Sequence, residues 1–502
     1  MAMVRFFRVA ALVACAFALA GCGAKNDAPS SSLPSGADFA PASSVVYVTG
    51  TTDPSSDQWQ KADALFSHFP GRAKLLASFK KDLAKDGLTW EGDLKPALGD
   101  DLNLVLLSYK DADHNYVFFT KPHDEAKLTK VLDSGKPGDR QVHREIDGWT
   151  VFADNEKSLD NFAAAHANGS SLSDDDAFKD AMNGMPDEAA VRGYLPGKPI
   201  SDEIQKEAAK NPGTQQFKGF SDSFGKLRYV AFSSAAEDEG VSVQAAYESE
   251  ETMDAASYRA ELDSTLPAGA LLYVSFGDLQ QNLDQVLKNA KEQSPQLGQQ
   301  LNQFQQALGF SLEDDVLPLF SKEGALAVYA GMQSVPVVTL ALRVDDETKA
   351  TELINRLAAI AGLAGITVRP LSVEGAEGKA FLYPEDDLTI NAVVGEGKLL
   401  VSNSRRSIQD ALGDGKKLSD DTVYQEALDA SSAPDETSGF AYVNLKQALP
   451  LLFGLGDAMS ESDSPEAIPP DVRANTKPLQ SVLLYTKQDG KRTTISGFLT
   501  IK

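Results

Sequence analysis

The chain aligns with itself, and this duplication limits what it can fold into more than any other feature. Pro41-Ala42 followed by Tyr47-Val48 returns, at the same spacing, as Pro267-Ala268 followed by Tyr273-Val274. The segment Thr89–Leu98 aligns with Ser311–Phe320, and Asp124-Glu125-Ala126-Lys127 with Asp346-Glu347-Thr348-Lys349. Leu172-Ser173-Asp174-Asp175 answers to Leu418-Ser419-Asp420-Asp421. Pro186-Asp187-Glu188 with Tyr194 answers to Pro434-Asp435-Glu436 with Tyr442. Ordered matches of this kind imply one structural unit present twice, over residues 39–250 and 260–502. The offset between copies is 222 residues at Asp124 and Asp346 but 249 at Gly148 and Gly397, so the second copy carries 27 extra residues. They fall around Ile366 to Asp387, where Val368-x-Pro370-x-Ser372 and Lys379–Tyr383 read as an added hairpin.

Within each copy, short apolar β-rich runs alternate with helical patterns. Val45–Val48, Leu104–Tyr109 and Tyr116–Thr120 are expected strands, matched by Leu271–Val274, Ala325–Tyr329 and Val337–Val344. After Asp346, the residues Ala350, Leu353, Ile354 and Leu357 recur at helical spacing on one face, as do Leu128, Val131 and Leu132 in the first copy. Asp147-Gly148 and Glu396-Gly397 suit hairpin tips that need positive φ. Leu227–Tyr247 and Ser481–Ile501 read as long hairpins. The expected class is α+β: two tandem copies of a mainly antiparallel sheet unit with helices packed against it. Ser173-Asp174-Asp175 and Ser419-Asp420-Asp421 read as helix starts, Ser capping and Asp complementing the helix dipole, rather than as calcium ligands.

The N-terminus carries a separate signal. Arg5 and Arg8 precede an apolar run, Val9–Ala20, too short to span a membrane and suited to a secretory signal. Leu19-Ala20-Gly21-Cys22 has the form of a bacterial lipobox; Leu12-Val13-Ala14-Cys15 leaves too short an apolar run before it. The reading is therefore a signal peptide over 1–21, then lipidation of Cys22 and a flexible Ser/Pro/Ala/Gly linker over 22–38. The protein is expected to be exported and held at the membrane of the bacterial envelope through Cys22.

This assignment governs the rest of the chemistry. Cys15 and Cys22 are the two cysteines, so the mature body has no free catalytic thiol and no disulfide. The formal charge of −25, or −27 without Arg5 and Arg8, excludes a nucleic-acid partner, since phosphate backbones are held by Lys and Arg. All five histidines, His68, His114, His123, His143 and His166, lie in the first copy without zinc-ligand spacing, and His143 reads as solvent-facing on a strand. Gly219–Ser223 lacks the second glycine of a nucleophile elbow. Gly413-Asp414-Gly415-Lys416 and Gly395-Glu396-Gly397-Lys398 lack the Ser or Thr of a phosphate loop and read as turns. No catalytic residue, metal site or cofactor is expected.

The apolar-Pro-Ala opening, the Tyr-Val strand, the acidic segment ending in Pro and the exported N-terminus together resemble a bacterial family catalogued as domain of unknown function 3352. That resemblance implies export and architecture, and no chemistry.

One stretch reads as a candidate interaction surface: Leu449, Leu451, Leu452, Phe453 and Leu455, apolar nearly all round, whose counterpart after Tyr194 runs Pro196-Gly197-Lys198-Pro199. The competing reading is a short core helix under the sheet. The functional expectation is a non-catalytic envelope lipoprotein acting in protein interaction or envelope structure. The alternative is a carrier or chaperone for a lipid or other apolar ligand, and after it an unrecognised carboxylate hydrolase.

Overall fold

The computed structural model describes residues 32–135, 140–210, 226–250, 256–278, 299, 305, 311, 317–320, 322–331, 335–459 and 468–502. The signal segment, Cys15, Cys22, linker residues up to 31, Gly219–Ser223 and residues 312–316 of the second aligned segment lie outside these.

The first copy supplies strands β1 (Val46–Thr51), β2 (Asp101–Leu106), β3 (Tyr116–Thr120), β4 (Val142–Ile146), β5 (Trp149–Ala153), β6 (Val191–Pro196), β7 (Leu227–Glu237) and β8 (Gly240–Ser249). Then come β9 (Tyr258–Arg259), β10 (Leu272–Phe276), β11 (Gly324–Tyr329), β12 (Val337–Arg343), β13 (Thr367–Val373), β14 (Ala376–Tyr383), β15 (Leu388–Gly395) and β16 (Lys398–Ser402). The chain closes with β17 (Glu436–Thr437), β18 (Gly439–Val443), β19 (Leu479–Asp489) and β20 (Arg492–Ile501). The helices used below are α1 (Asp57–Ser67), α2 (Arg72–Lys85), α3 (Glu125–Leu132), α4 (Glu156–Ala167), α5 (Asp176–Met182) and α6 (Gly197–Lys210). They are followed by α7 (Glu347–Leu363), α8 (Arg405–Leu412), α9 (Thr422–Ser431), α10 (Leu445–Met459) and α11 (Pro470–Thr476).

Apart from the small β9–β17 pair, all strands among the described residues join one antiparallel sheet of eighteen. Its order is β4-β5-β3-β2-β1-β6-β7-β8-β20-β19-β18-β10-β11-β12-β16-β15-β14-β13. The second half is the first in mirror order with β13 and β14 added, which places the expected hairpin at the outer edge of the second copy.

The copies meet where β8 pairs with β20. Ala231 faces Ala246 in the first copy as Leu483 faces Phe498 in the second, each residue moved on by 252 positions. Under that shift the pair Glu248–Arg492 maps onto Thr500–Gly240, itself a pair of the same ladder, so the junction is symmetric about Gln244 opposite Ser496. Gly240 is needed there: a Cβ at this position would stand 2.0 Å from the Leu499 carbonyl oxygen. Leu65, Ala190, Ala236, Val241, Leu499 and Ile501, drawn from both copies, bury one face of the junction.

Each copy also has its own core. Phe178 meets Tyr194 edge-on at 5.1 Å and 82°, and the equivalent Tyr424 meets Tyr442 at 5.0 Å and 82°. Asp124 and Asp346, matched in sequence, are both N-caps, accepting from the N–H of Lys127 and of Thr348 and Lys349. Asp147-Gly148 and Glu396-Gly397 both have positive φ, as their hairpins require. The other helix starts differ in detail from expectation. Asp175 and Asp421, not the serines, cap α5 and α9, because a 3₁₀ turn (Leu172–Asp174, Leu418–Asp420) intervenes and displaces the cap by two residues. β2 begins at Asp101 and ends at Leu106, earlier than the apolar run suggested. Leu128, Val131 and Leu132 are buried as expected, whereas Leu357 of α7 is 40% exposed because the face of α7 that packs on the sheet continues from Ile354 through Ala358 and Ala361 and leaves Leu357 to one side. His143 is half-buried rather than solvent-facing, since it sits across from Phe152.

Candidate functional site

The apolar stretch forms the middle of α10, the counterpart of the charged α6. Leu445 packs toward the junction cluster. Leu449, Phe453 and Leu455 are half-buried, while Leu451 and Leu452 are 42% and 58% exposed. The helix is therefore neither a core helix nor free: one side lies on the sheet and the other offers leucines to solvent. The Arg473 guanidinium covers the Phe453 ring at 5.4 Å and pairs with Asp457, which ties α11 to α10. α11 in turn meets the first copy, with Lys74 2.8 Å from Asp471 and the Gly71 N–H donating to Asn475 Oδ1 at 2.7 Å. So α10 and α11 ride on the seam between the copies.

A second feature escaped sequence reading. A cleft of about 290 Å³ opens between β1, β6 and the start of α1, lined by Thr49, Gln58, Asp101, Asp187 and Arg192. Burial pushes the Asp101 carboxyl upward, while the Ser35 hydroxyl donates to it at 2.8 Å. Arg192, its side chain 12% exposed, lies 3.6 Å from Asp187 and donates to the Ser32 carbonyl at 3.2 Å; burial lowers its pKa. The strand registers make Glu323 the partner of Asp101 in the second copy, and Phe440 the partner of Arg192. Glu323 accepts the N–H groups of Glu261 and Leu262 at 3.0 Å and the Ser275 hydroxyl at 3.1 Å, and burial raises its pKa. In both copies a carboxylate, half-buried at Asp101 and buried at Glu323, thus fastens the segment ahead of the first strand. The offset of 222 residues that aligns Leu98 with Phe320 also aligns Asp101 with Glu323, so the signal was present three residues beyond the matched segment.

The histidines are not brought together. His166 bridges the Phe39 carbonyl and Asp147 at 3.1 and 3.0 Å, His114 contacts Asp111 and His123 contacts Asp100. Among the described residues, no three His, Cys, Asp or Glu side chains are placed to hold a metal ion. Among the same residues, no helix is long and apolar enough to cross a membrane.

No curated protein matches the sequence significantly. Chains of TP0453 in crystal forms IV and III align with 8% and 9% identity over 49% and 48% of this chain and 94% of theirs, with TM-scores of 0.24 and 0.25. Superposition that poor transfers neither fold nor function. The model of a family described as Protein of unknown function (DUF3352) matches residues 120–496, and the chain belongs to that family.

Proposed function

We propose that this is a non-catalytic lipoprotein of the bacterial envelope, tethered through Cys22, whose duplicated sheet serves as a docking scaffold for another envelope protein. The observation that carries this reading is α10: an apolar helix seated on the seam of one continuous sheet, with Leu451 and Leu452 turned to solvent. Exposed leucines on a fixed support favour contact with a partner, because burying each removes apolar surface from water at little cost in ordering. The lipobox and the linker support the tether.

The test places a photo-crosslinking residue at position 452 in intact cells, with position 446 on the same helix as control. A discrete protein adduct at 452, lost with Leu451→Asp, is the expected result. Adducts with lipid alone would favour the carrier reading instead, and equal labelling at 446 would remove α10 from consideration. Incorporation of a fatty-acid analogue that persists in Cys22→Ala would refute the anchor.

A further inference from the structure

The extra residues of the second copy include a second apolar surface, at the far end of the sheet from the first copy. Helix α7 is 17 residues long, whereas its counterpart α3 has 8. From Leu357 to Val368 no side chain is charged, and the run is bounded by Arg356 and Arg369. One side of it is anchored: Ala358, Ala361, Ile366 and Val368 pack on the cluster built around Ile354, Phe381 and Val394. The other side is bare. Leu363 is 92% exposed, Leu357 is 40% exposed, and Ala359, Gly362 and Ala364 between and beside them are exposed as well. Gly365, at φ +83°, then turns the chain into β13. An acidic chain with 72 Asp and Glu side chains has placed none of them between Leu357 and Val368.

We propose that the α7–β13 corner inserts Leu363 and Leu357 into the interfacial layer of a lipid bilayer, a second membrane contact in addition to the acyl anchor. This rests on the lipoprotein reading for the presence of a bilayer. Cys22 lies ten residues before Ser32, where the described chain begins at the Asp187–Arg192 cleft, so the tether reaches at most ~35 Å. Eighteen strands at about 4.8 Å span ~85 Å, so a body on that tether is held beside the lipid surface. Followed strand by strand through the ladder, the sheet edge at which Ser32 and Asp101 lie is also the edge at which α7 runs into β13.

A bare leucine ringed by small residues and flanked by arginines suits shallow insertion. The arginine stems lie along the apolar layer and their heads stay among polar groups. Glu385 and Asp387 stand at the same strand end, beside Tyr383, and oppose an anionic surface. The lipid that fits is therefore a neutral, zwitterionic one, bound through apolar contact.

The test uses the full chain with Cys15→Ala and Cys22→Ala, so that a cysteine introduced as Leu363→Cys is the one thiol. It carries an environment-sensitive dye, read on phosphatidylcholine vesicles with and without doxyl quenchers at known depth. The environment of the dye is the readout, not binding as such. A blue shift and shallow-doxyl quenching at 363, absent from a Leu452→Cys reference, is expected. Leu357→Asp should lower the shifted fraction about tenfold or more. Because Leu357 and Leu363 are exposed, neither change threatens folding. A dye that stays in water at saturating lipid overturns the proposal, and so does a shift that follows protein concentration without lipid, which would mark a contact between copies. Failure of the lipoprotein reading is registered separately, by the mass of the wild-type N-terminus.

Discussion

Leu499→Ala should weaken both halves of the molecule although it alters only the second. Leu499 is 4% exposed, stands opposite Val241 across the junction, and belongs to a cluster that includes Leu65 and Ala236 of the first copy. The truncation removes three carbons, worth about 0.8 kcal/mol each, and the cavity left under α1 raises the loss to about 3 kcal/mol. If the two copies are held through this ladder, the loss is felt on either side of it. Hydrogen exchange followed by mass spectrometry reads the effect by peptide. Amides of β8 from Val241 to Ala246 should exchange roughly a hundredfold faster, together with those of β19 and β20. Acceleration confined to β19 and β20, with β8 within about threefold of wild type, would refute the reasoning. The copies would then be separate cooperative units that merely touch.

Other expectations follow from differences between the copies. The Tyr47 hydroxyl donates to Asn103 at 2.8 Å, whereas in the second copy Ala325 holds the register position of Asn103 and the equivalent Tyr273 hydroxyl makes no hydrogen bond of normal geometry. Tyr47→Phe should therefore cost about 1–2 kcal/mol in urea unfolding, and Tyr273→Phe close to nothing. Glu323 has its pKa raised by burial, so its contribution to stability is complete at acid pH, below the unfolded carboxyl's pKa, and falls away as pH rises through the folded value. Subtracting the Glu323→Gln stability curve from the wild-type curve should give a difference that declines just above the ordinary carboxylate range; a flat difference would contradict it. The Lys417 ammonium donates to the carbonyls of Asp410, Ala411 and Gly413 at 2.8, 2.8 and 2.7 Å and so closes the C-terminus of α8. Lys417→Met should destabilise by about 1–2 kcal/mol, with the greatest gain in exchange at Arg405–Leu412.

The duplication was legible because its matches fall where local chemistry is strict. Asp124 and Asp346 cap helices, Pro41 and Pro267 bridge to Ser171 and Lys417, and Tyr47 and Tyr273 fill equivalent places in the two cores. The added hairpin was legible for the same reason, since alternating apolar residues and a turn need only near neighbours. The junction was not. Val241, Val243, Leu499 and Ile501 look like any strand face, and nothing in a strand says which other edge it will pair with. The caps of α5 and α9 were misplaced by two residues because a 3₁₀ turn leaves no hydrophobic period of its own. Asp101 and Glu323 went unread as sites because their roles depend on partners more than 60 residues away, the Ser35 hydroxyl for one and the Glu261 N–H for the other.

The self-matching edge between β8 and β20 has an evolutionary consequence. A single copy ending in β8 would expose a strand whose natural complement is another β8, so a gene encoding one unit would yield a homodimer built on this seam. Fusing two such genes replaces a partner that must be met by diffusion with one always at hand. It also frees the halves from identity: a homodimer changes every residue twice, a tandem chain only once. Arg192 against Phe440, Asn103 against Ala325, and one long helix with a bare leucine at its tip against a short one are changes that only a tandem chain could make singly.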